Sequence, residues 1–153
     1  MGRHRRSACQ EGGRLTLERY IKAQASIYPR ALGELKRGHK QSHWMWYVFP
    51  QIAGLGHSAM SHSYAIQSVE EAREYLAHPV LGARLRECCQ AVMAVEGLSA
   101  HEIFRSPDDH KFRSCLTLFA QAAPEETLFR DLLEKYFGGK ADAATLELLA
   151  ERS

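Results

Sequence analysis

Apolar residues recur every three or four positions along most of the chain, the spacing that gathers side chains on one face of an α-helix. The clearest series predicts a long helix that begins at Pro79 and ends at Gly97. Its apolar face consists of Leu81, Leu85, Cys88, Val92 and Val95. The strict alternation of apolar and polar residues that indicates β-strands is almost absent. The pattern therefore predicts an all-α fold.

Residues that start and stop helices divide the remaining pattern into separate elements. The first apolar series ends near Ser26, and Pro29 is expected to begin a second helix, because proline fits the first helical position. Two capping boxes, in which a serine and a glutamate satisfy each other's backbone amides, mark further starts at Ser68–Glu71 and Ser99–Glu102. These signals predict six to seven helices in a single multihelical globular domain over residues 14–153.

Three more boundaries follow from single residues. Gly38 is expected to end the helix that Pro29 begins. Asp142 is expected to cap a last helix. Between them, a helix after the Ser-Pro turn at 106–107 is predicted to bury Phe112, Cys115, Leu116 and Phe119.

The segment 42–56, which reads SHWMWYVFPQIAGLG, is the exception to this regular pattern. It is dense in aromatic and β-branched residues, which also favour strands. Pro50 would interrupt either a helix or a strand. We expect a short helix followed by a loop.

Composition and charge limit the possible partners. The 153 residues are 45% hydrophobic and carry a formal net charge of +2, as in an ordinary globular domain. Four arginines against one glutamate make residues 1–14 basic, and we expect residues 1–13 to form a flexible arm. The near-neutral remainder disfavours sequence-specific nucleic-acid binding. No apolar run approaches the roughly 20 residues of a membrane span.

The four cysteines and the missing motifs limit the chemistry. Cys9, Cys88, Cys89 and Cys115 form no CxxC pair and no regular framework, which predicts free thiols and a cytoplasmic protein. The histidine spacings lack a completing ligand, so no metal site is expected. P-loop, GxGxxG, GxSxG and HExxH motifs do not occur, so no standard cofactor is expected.

The string KQSHWMWYVFPQ at residues 40–51, called the aromatic segment below, resembles the signature of the DUF1810 family. This is an uncharacterised group of small helical bacterial proteins. Similar runs extend the resemblance over roughly residues 15–150, among them GLG at 54–56, HPVLG at 78–82, SPDD at 106–109 and SCLTLF at 114–119. The resemblance implies an all-α fold and a cytoplasmic location, but no activity. Some members carry the name calpastatin, a disordered protease inhibitor, which this aromatic-rich composition does not suit.

One position departs from the family pattern. Arg105 stands where the family usually has glycine, directly before the turn at 106–109. If the backbone there needs a positive φ, arginine is strained.

The aromatic segment offers the first candidate site. Trp44 and Trp46 present flat faces with one donor each, and the Gln51 amide presents a donor and an acceptor. His43 can exchange protons near neutral pH, and Lys40 could meet a phosphate or carboxylate. These residue types suit a small planar polar ligand, such as a nucleotide or a nicotinamide-type metabolite. The alternative is that the apolar residues of the segment form an aromatic core.

A second set of polar residues lies on the helix after the Ser-Pro turn. Asp108, Lys111 and Ser114 are three residues apart and could face one cleft. If that helix packs beside the aromatic segment, Asp108 and His43 would form an acid–base pair, and Gln24 could help to orient the ligand. The alternative is a set of solvated charges at a helix start.

Two functions stay open at the level of sequence. The first is binding of a small molecule, with or without turnover, in which His43 and Asp108 are the catalytic candidates. The second is a protein-interaction or self-association module without chemistry, which would use an exposed part of the aromatic segment. The sequence indicates no oligomeric state.

Overall fold

The computed structural model describes the backbone of residues 2–152 and the side chains of residues 17–152. The predicted flexible arm, residues 1–13, lies outside the residues with described side chains. Within the described backbone, nine helices and no strand form one globular domain, which confirms the all-α prediction. Three of them are only four or five residues long, which explains the excess over six to seven. In chain order they are α1 (Gly2–Lys36), α2 (Met45–Val48), α3 (Ala59–Ser63), α4 (Val69–Ala77), α5 (Leu81–Ala94), α6 (Ala100–Phe104), α7 (Asp108–Ala122), α8 (Leu128–Phe137) and α9 (Ala143–Arg152).

Helix α1 continues through Pro29, so the prediction of two helices with a break near Ser26 is wrong. Proline has no N–H and removes the helical hydrogen bond to the Ala25 carbonyl, but both residues are exposed and water can satisfy that carbonyl. The predicted stop at Gly38 is confirmed. Its φ is 70°, and a Cβ atom there would lie 2.9 Å from Leu98 Cδ1. Neither α1 nor any other helix in residues 2–152 is long and apolar enough to cross a membrane.

The predicted capping residues begin two of the helices. At α6 the box is complete: Ser99 Oγ accepts from Glu102 N at 3.1 Å, and Glu102 Oε1 accepts from Ser99 N at 2.9 Å. At α4 Ser68 Oγ accepts from Glu71 N, whereas the Glu71 carboxylate accepts from Gln67 N, one residue earlier. Both helices therefore start where the local sequence predicts.

Helix α7 lies at the centre of the domain, packed against α4, α6, α8 and α9, while α1 packs against α2 and α5. Cys88, Cys89 and Cys115 are buried free thiols, as predicted, and burial raises the pKa of Cys88 to about 12. A thiol held protonated in this way behaves as a small apolar group. The predicted apolar face of α7 is fully buried: Phe112, Cys115, Leu116 and Phe119.

The expected short helix and loop in the aromatic region are confirmed as α2 and the residues after it. One parallel bridge holds this loop against the residues that lead into α4. Ile66 N donates to the Gln51 carbonyl, and Ala53 N donates to the Ile66 carbonyl, both at 2.8 Å. The bridge fixes the backbone of Gln51 in place.

Candidate ligand-binding site

Glu34, a buried acid in the last turn of α1, fixes the start of the aromatic segment. Its Oε1 accepts from the backbone N–H groups of Gln41 and Ser42 and from Trp44 Nε1, at 2.9 to 3.0 Å. Its Oε2 accepts from Ser42 Oγ at 2.6 Å. Burial alone raises the pKa of this carboxyl, but the hydrogen bonds outweigh burial and lower the pKa to about 2. Glu34 therefore stays ionised and holds the segment against α1.

Glu34 was not among the predicted site residues. In the sequence it is one charged residue in the polar end of a helix. It stands three residues after Ala31 and four before Gly38, which are both buried. That spacing places it on the buried face of α1 and is the signal that could have singled it out.

Trp44 belongs to the core. Its side chain is fully buried, its N–H is used by Glu34, and its ring lies 6.1 Å from the Phe49 ring. Met45, Val48 and Phe49 are buried with it. These residues form an aromatic core, which is the alternative to a ligand site that the sequence left open for this segment. Trp44 therefore has no face open to a ligand.

Lys40 and Asp108 join the aromatic segment to the start of α7. Lys40 Nζ lies 2.8 Å from Asp108 Oδ2, and the Lys40 side chain is only 6% exposed. Lys111 Nζ lies 3.6 Å from the other oxygen, Asp108 Oδ1. The Lys40 backbone N–H also donates to the Ile103 carbonyl at 2.9 Å. Helix α7 therefore packs beside the segment, as the second candidate set requires.

One cavity of about 260 Å³ gathers four of the predicted binding residues: Trp46, Gln51, Lys111 and Ser114. The Lys111 ammonium lies 5.0 Å from the centre of the Trp46 ring, within the range of a cation–π contact. Trp46 Nε1 is buried and has no hydrogen-bond partner among the described residues. Ser114 Oγ donates to the His110 carbonyl at 3.1 Å, so its lone pairs are left as acceptors.

His43 is exposed and does not line this cavity. Among the described residues, no hydrogen bond or ion pair joins His43 to Asp108. Asp108 instead lies between the ammonium groups of Lys40 and Lys111. The predicted acid–base pair is therefore not assembled in this structure.

Gln24 is 1% exposed and lies apart from the cavity. Its amide nitrogen donates to the Tyr47 carbonyl at 2.6 Å and to Tyr75 Oη at 3.1 Å. Its amide oxygen accepts from Arg84 at 3.3 Å. These contacts link α1 to α2, α4 and α5, and they leave Gln24 little capacity to hold a ligand.

A family model covers almost all of the described fold. It is described as "Protein of unknown function (DUF1810)" and matches residues 14–149. The chain belongs to the DUF1810 family. The resemblance seen in the aromatic segment is thereby confirmed.

One solved structure is similar to nearly the whole DUF1810 chain. It is the crystal structure of the conserved hypothetical protein Rv1873 from Mycobacterium tuberculosis, which is 49% identical in sequence. The match covers 88% of this chain and 96% of that chain, with a TM-score of 0.87. No curated protein matches the chain. The family and the neighbour therefore establish the fold and leave the activity to be argued from the site.

Among the cavity residues of the DUF1810 chain that were not predicted, four have titratable side chains: His62, Tyr64, His110 and Asp142. The signal for His110 was present, since it lies three residues after Pro107 and four before Ser114 on the face of α7 that lines the cavity. The residues from α3 and its end carried no such signal, because tertiary packing brings them to the cavity from a separate part of the chain.

Asp142 is positioned by two threonines. Its backbone N–H donates to Thr117 Oγ1 at 2.8 Å. Its Oδ2 accepts from Thr145 N at 3.0 Å and from Thr145 Oγ1 at 2.6 Å. Asp142 therefore caps α9, as predicted, and the same contacts fix its carboxylate at the wall of the cavity.

The backbone at Arg105, where the DUF1810 family usually has glycine, has a positive φ, and the expected strain at this arginine is therefore present. Its φ of 64° and ψ of 167° fall in a region that is populated almost only by glycine. Arg105 ends α6, and its carbonyl accepts from Asp109 N at 2.9 Å in the first turn of α7. The backbone strain thus lies two residues before Pro107, which lines the cavity.

Proposed function

We propose that this protein binds a small planar polar ligand, such as a nucleotide or a nicotinamide-type metabolite, in the cavity between the aromatic segment and α7. The meeting of Trp46, Gln51 and Lys111 in one cavity carries the proposal. The indole offers a face for a ring, the amide offers a donor and an acceptor, and the ammonium offers a charge. This combination of an aromatic wall with a few convergent polar groups is typical of small-molecule sites.

The volume of the cavity limits the size of the ligands that can fit in it. Its volume of about 260 Å³ lies just below the range of about 300–1,000 Å³ that is usual for ligand pockets. A single ring system with a short polar arm suits this space better than a dinucleotide. A mononucleotide or a smaller metabolite is therefore the class to test.

Binding is better supported than turnover. His43 lies outside the cavity, so it is a poor candidate for acid–base chemistry on a ligand held there. His62 and His110 do line the cavity, and they are better placed than His43 for proton transfer at this site. The self-association alternative has less support, because the apolar residues of the aromatic segment are mostly buried. A bacterial, cytoplasmic setting belongs to the same proposal.

Thermal unfolding against a ligand panel tests the proposal. The panel contains the four common ribonucleoside monophosphates, nicotinamide mononucleotide, nicotinate and nicotinamide. A ligand at a hundred times its Kd adds about 2.7 kcal/mol of stability, which raises the Tm of a domain of this size by roughly 5 °C or more. We expect at least one such shift.

Two variants test whether the ligand binds in this cavity. Trp46→Ala should abolish the shift, since it removes the aromatic wall. Lys22→Ala is the control, because Lys22 is exposed on α1 and does not line the cavity. A flat panel at millimolar concentrations, or a shift that survives Trp46→Ala, would overturn the proposal.

A further inference from the structure

Three charged side chains meet where the wall of the cavity is formed by the start of α7. Asp108 has one negative charge and lies between two ammonium groups, at 2.8 Å from Lys40 Nζ and 3.6 Å from Lys111 Nζ. The nearer one, Lys40, has a side chain that is 6% exposed and is committed to this pair. Lys111 has a side chain that is 26% exposed and lines the cavity. Within this trio the positive charges exceed the negative charge by one, and the more exposed ammonium, that of Lys111, lies at the cavity.

Trp46 and Gln51, which line the cavity with Lys111, supply hydrogen-bond donors. Trp46 Nε1 has an N–H without a partner in the described residues, and the Lys111 ammonium lies over the same indole ring. A buried N–H without an acceptor is unfavourable, because it has lost its hydrogen bond to water. The Nε1 atom is shielded from water. The Gln51 amide adds further donors.

One acidic side chain, Asp142, also lines the cavity and contributes a negative charge, but among the described residues no ion pair joins it to Lys111. Asp142 is the carboxylate among the described lining residues, and its Oδ2 accepts two hydrogen bonds from Thr145. His62 and His110 also line the cavity, and each adds positive charge when protonated. The side of the cavity formed by Lys111, Trp46 and Gln51 thus favours a ligand that supplies acceptors and negative charge.

We infer that the ligand carries an oxyanion, a phosphate monoester or a carboxylate, and that this group pairs with the Lys111 ammonium in the cavity. The inference depends on the proposed function, because it names the group by which the same ligand is held. Charge-assisted hydrogen bonds from Lys111 to the oxyanion would be the strongest polar contacts in the site. The ring of the ligand would then lie toward Trp46.

Calorimetric titration with matched pairs of compounds tests the inference. The pairs are AMP with adenosine, nicotinamide mononucleotide with nicotinamide riboside, and nicotinate with nicotinamide. Within each pair the ring system is conserved and the oxyanion is added or removed. We expect the member that carries the oxyanion in at least one pair to bind tenfold or more tightly than the member that lacks it. A preference in the first two pairs identifies a phosphate, and one in the third identifies a carboxylate.

Substitutions at Lys111 test whether this residue causes the preference for the compound that carries the oxyanion. Lys111→Met keeps most of the apolar stem and should reduce the preference at least fivefold, whereas Lys111→Arg should retain it. Lys22→Ala should leave it unchanged. Pairs that bind equally in the unmodified protein, or a preference that survives in Lys111→Met, would overturn the inference and leave the proposed function standing. Failure of every compound to bind would overturn both.

Discussion

Trp44 Nε1 donates a 2.9 Å hydrogen bond to Oε1 of Glu34, an acid that is only 1% exposed. This bond separates the roles of the two tryptophans. Trp44 is committed to the core and to α1, whereas Trp46, two residues later, lines the cavity, and its N–H has no partner in the part of the chain that the structure describes. The position of the candidate site thus depends on Glu34, which does not line the cavity itself.

We expect Glu34→Gln to lower the free energy of unfolding by about 2–3 kcal/mol, because an NH₂ group would replace one acceptor and face the donors of Gln41, Ser42 and Trp44. Urea denaturation at pH 7 measures the change. Glu18→Gln is the matched control, since Glu18 is exposed on the same helix and its change should stay within about 0.5 kcal/mol. A Glu34→Gln protein as stable as the control would contradict the role of Glu34 as an anchor.

The stabilisation from Glu34 should depend on pH in a defined window. The pKa of Glu34 falls from 4.5 to about 2 on folding, so its contribution is complete above about pH 5 and is lost as the pH falls toward 2. The shift corresponds to roughly 3 kcal/mol at 1.36 kcal/mol per unit, as an upper bound. We expect the stability difference between the unmodified protein and Glu34→Gln to narrow from pH 5 to pH 2.5 in urea denaturation. A constant difference over this range would show that the carboxylate is not held ionised.

Arg105→Gly should stabilise the protein by about 1 kcal/mol, because glycine relieves the backbone strain at φ 64° and ψ 167°. Arg105→Ala is the control, since it removes the same side chain but retains the Cβ atom that causes the strain. We expect a higher Tm for the glycine variant, by roughly 2–4 °C, and no gain for the alanine variant. Equal gains in both variants would trace the effect to the arginine side chain.

Lys40 and Asp108 should be coupled in stability. Their ion pair is largely buried and joins the aromatic segment to α7, so breaking it from either side leaves a charge with a poorer partner. In a double-mutant cycle with Lys40→Met and Asp108→Asn, we expect a coupling energy of about 1–2 kcal/mol. A coupling near zero would indicate that Lys111 replaces Lys40 without loss.

The sequence predicts the features that depend on local chemistry. The capping serines, the stop at Gly38 and the apolar face of α7 all follow from residues within one or two helical turns. The prediction that Pro29 begins a helix is wrong. Pro29 lies on the exposed side of α1, where the helix can continue past the missing N–H. Whether a proline starts a helix or lies within one depends on burial, which local spacing does not give.

The candidate site was predictable only in part. Residues in the first turns of α7 share one face, and helical spacing alone brings Lys111 and Ser114 together. In the four-residue helix α2 there is too little periodicity to tell which side chains are buried. As a result, Trp44, Trp46 and His43 were grouped together, although one is in the core, one lines the cavity and one is exposed. Glu34 was missed because its partners lie beyond the end of its own helix.

The most direct test follows the two indole N–H signals by ¹H–¹⁵N NMR during a titration with the ligand panel. The chain contains two tryptophans, so two such signals are expected, and Trp46→Phe assigns them. When AMP or another member binds, the Trp46 signal should move in a saturable way, because the Trp46 indole lines the cavity, while the Trp44 signal should stay in place, because its N–H is held by Glu34. A Trp46 signal that does not move with any member at millimolar concentration would contradict the assignment of this cavity as a ligand site.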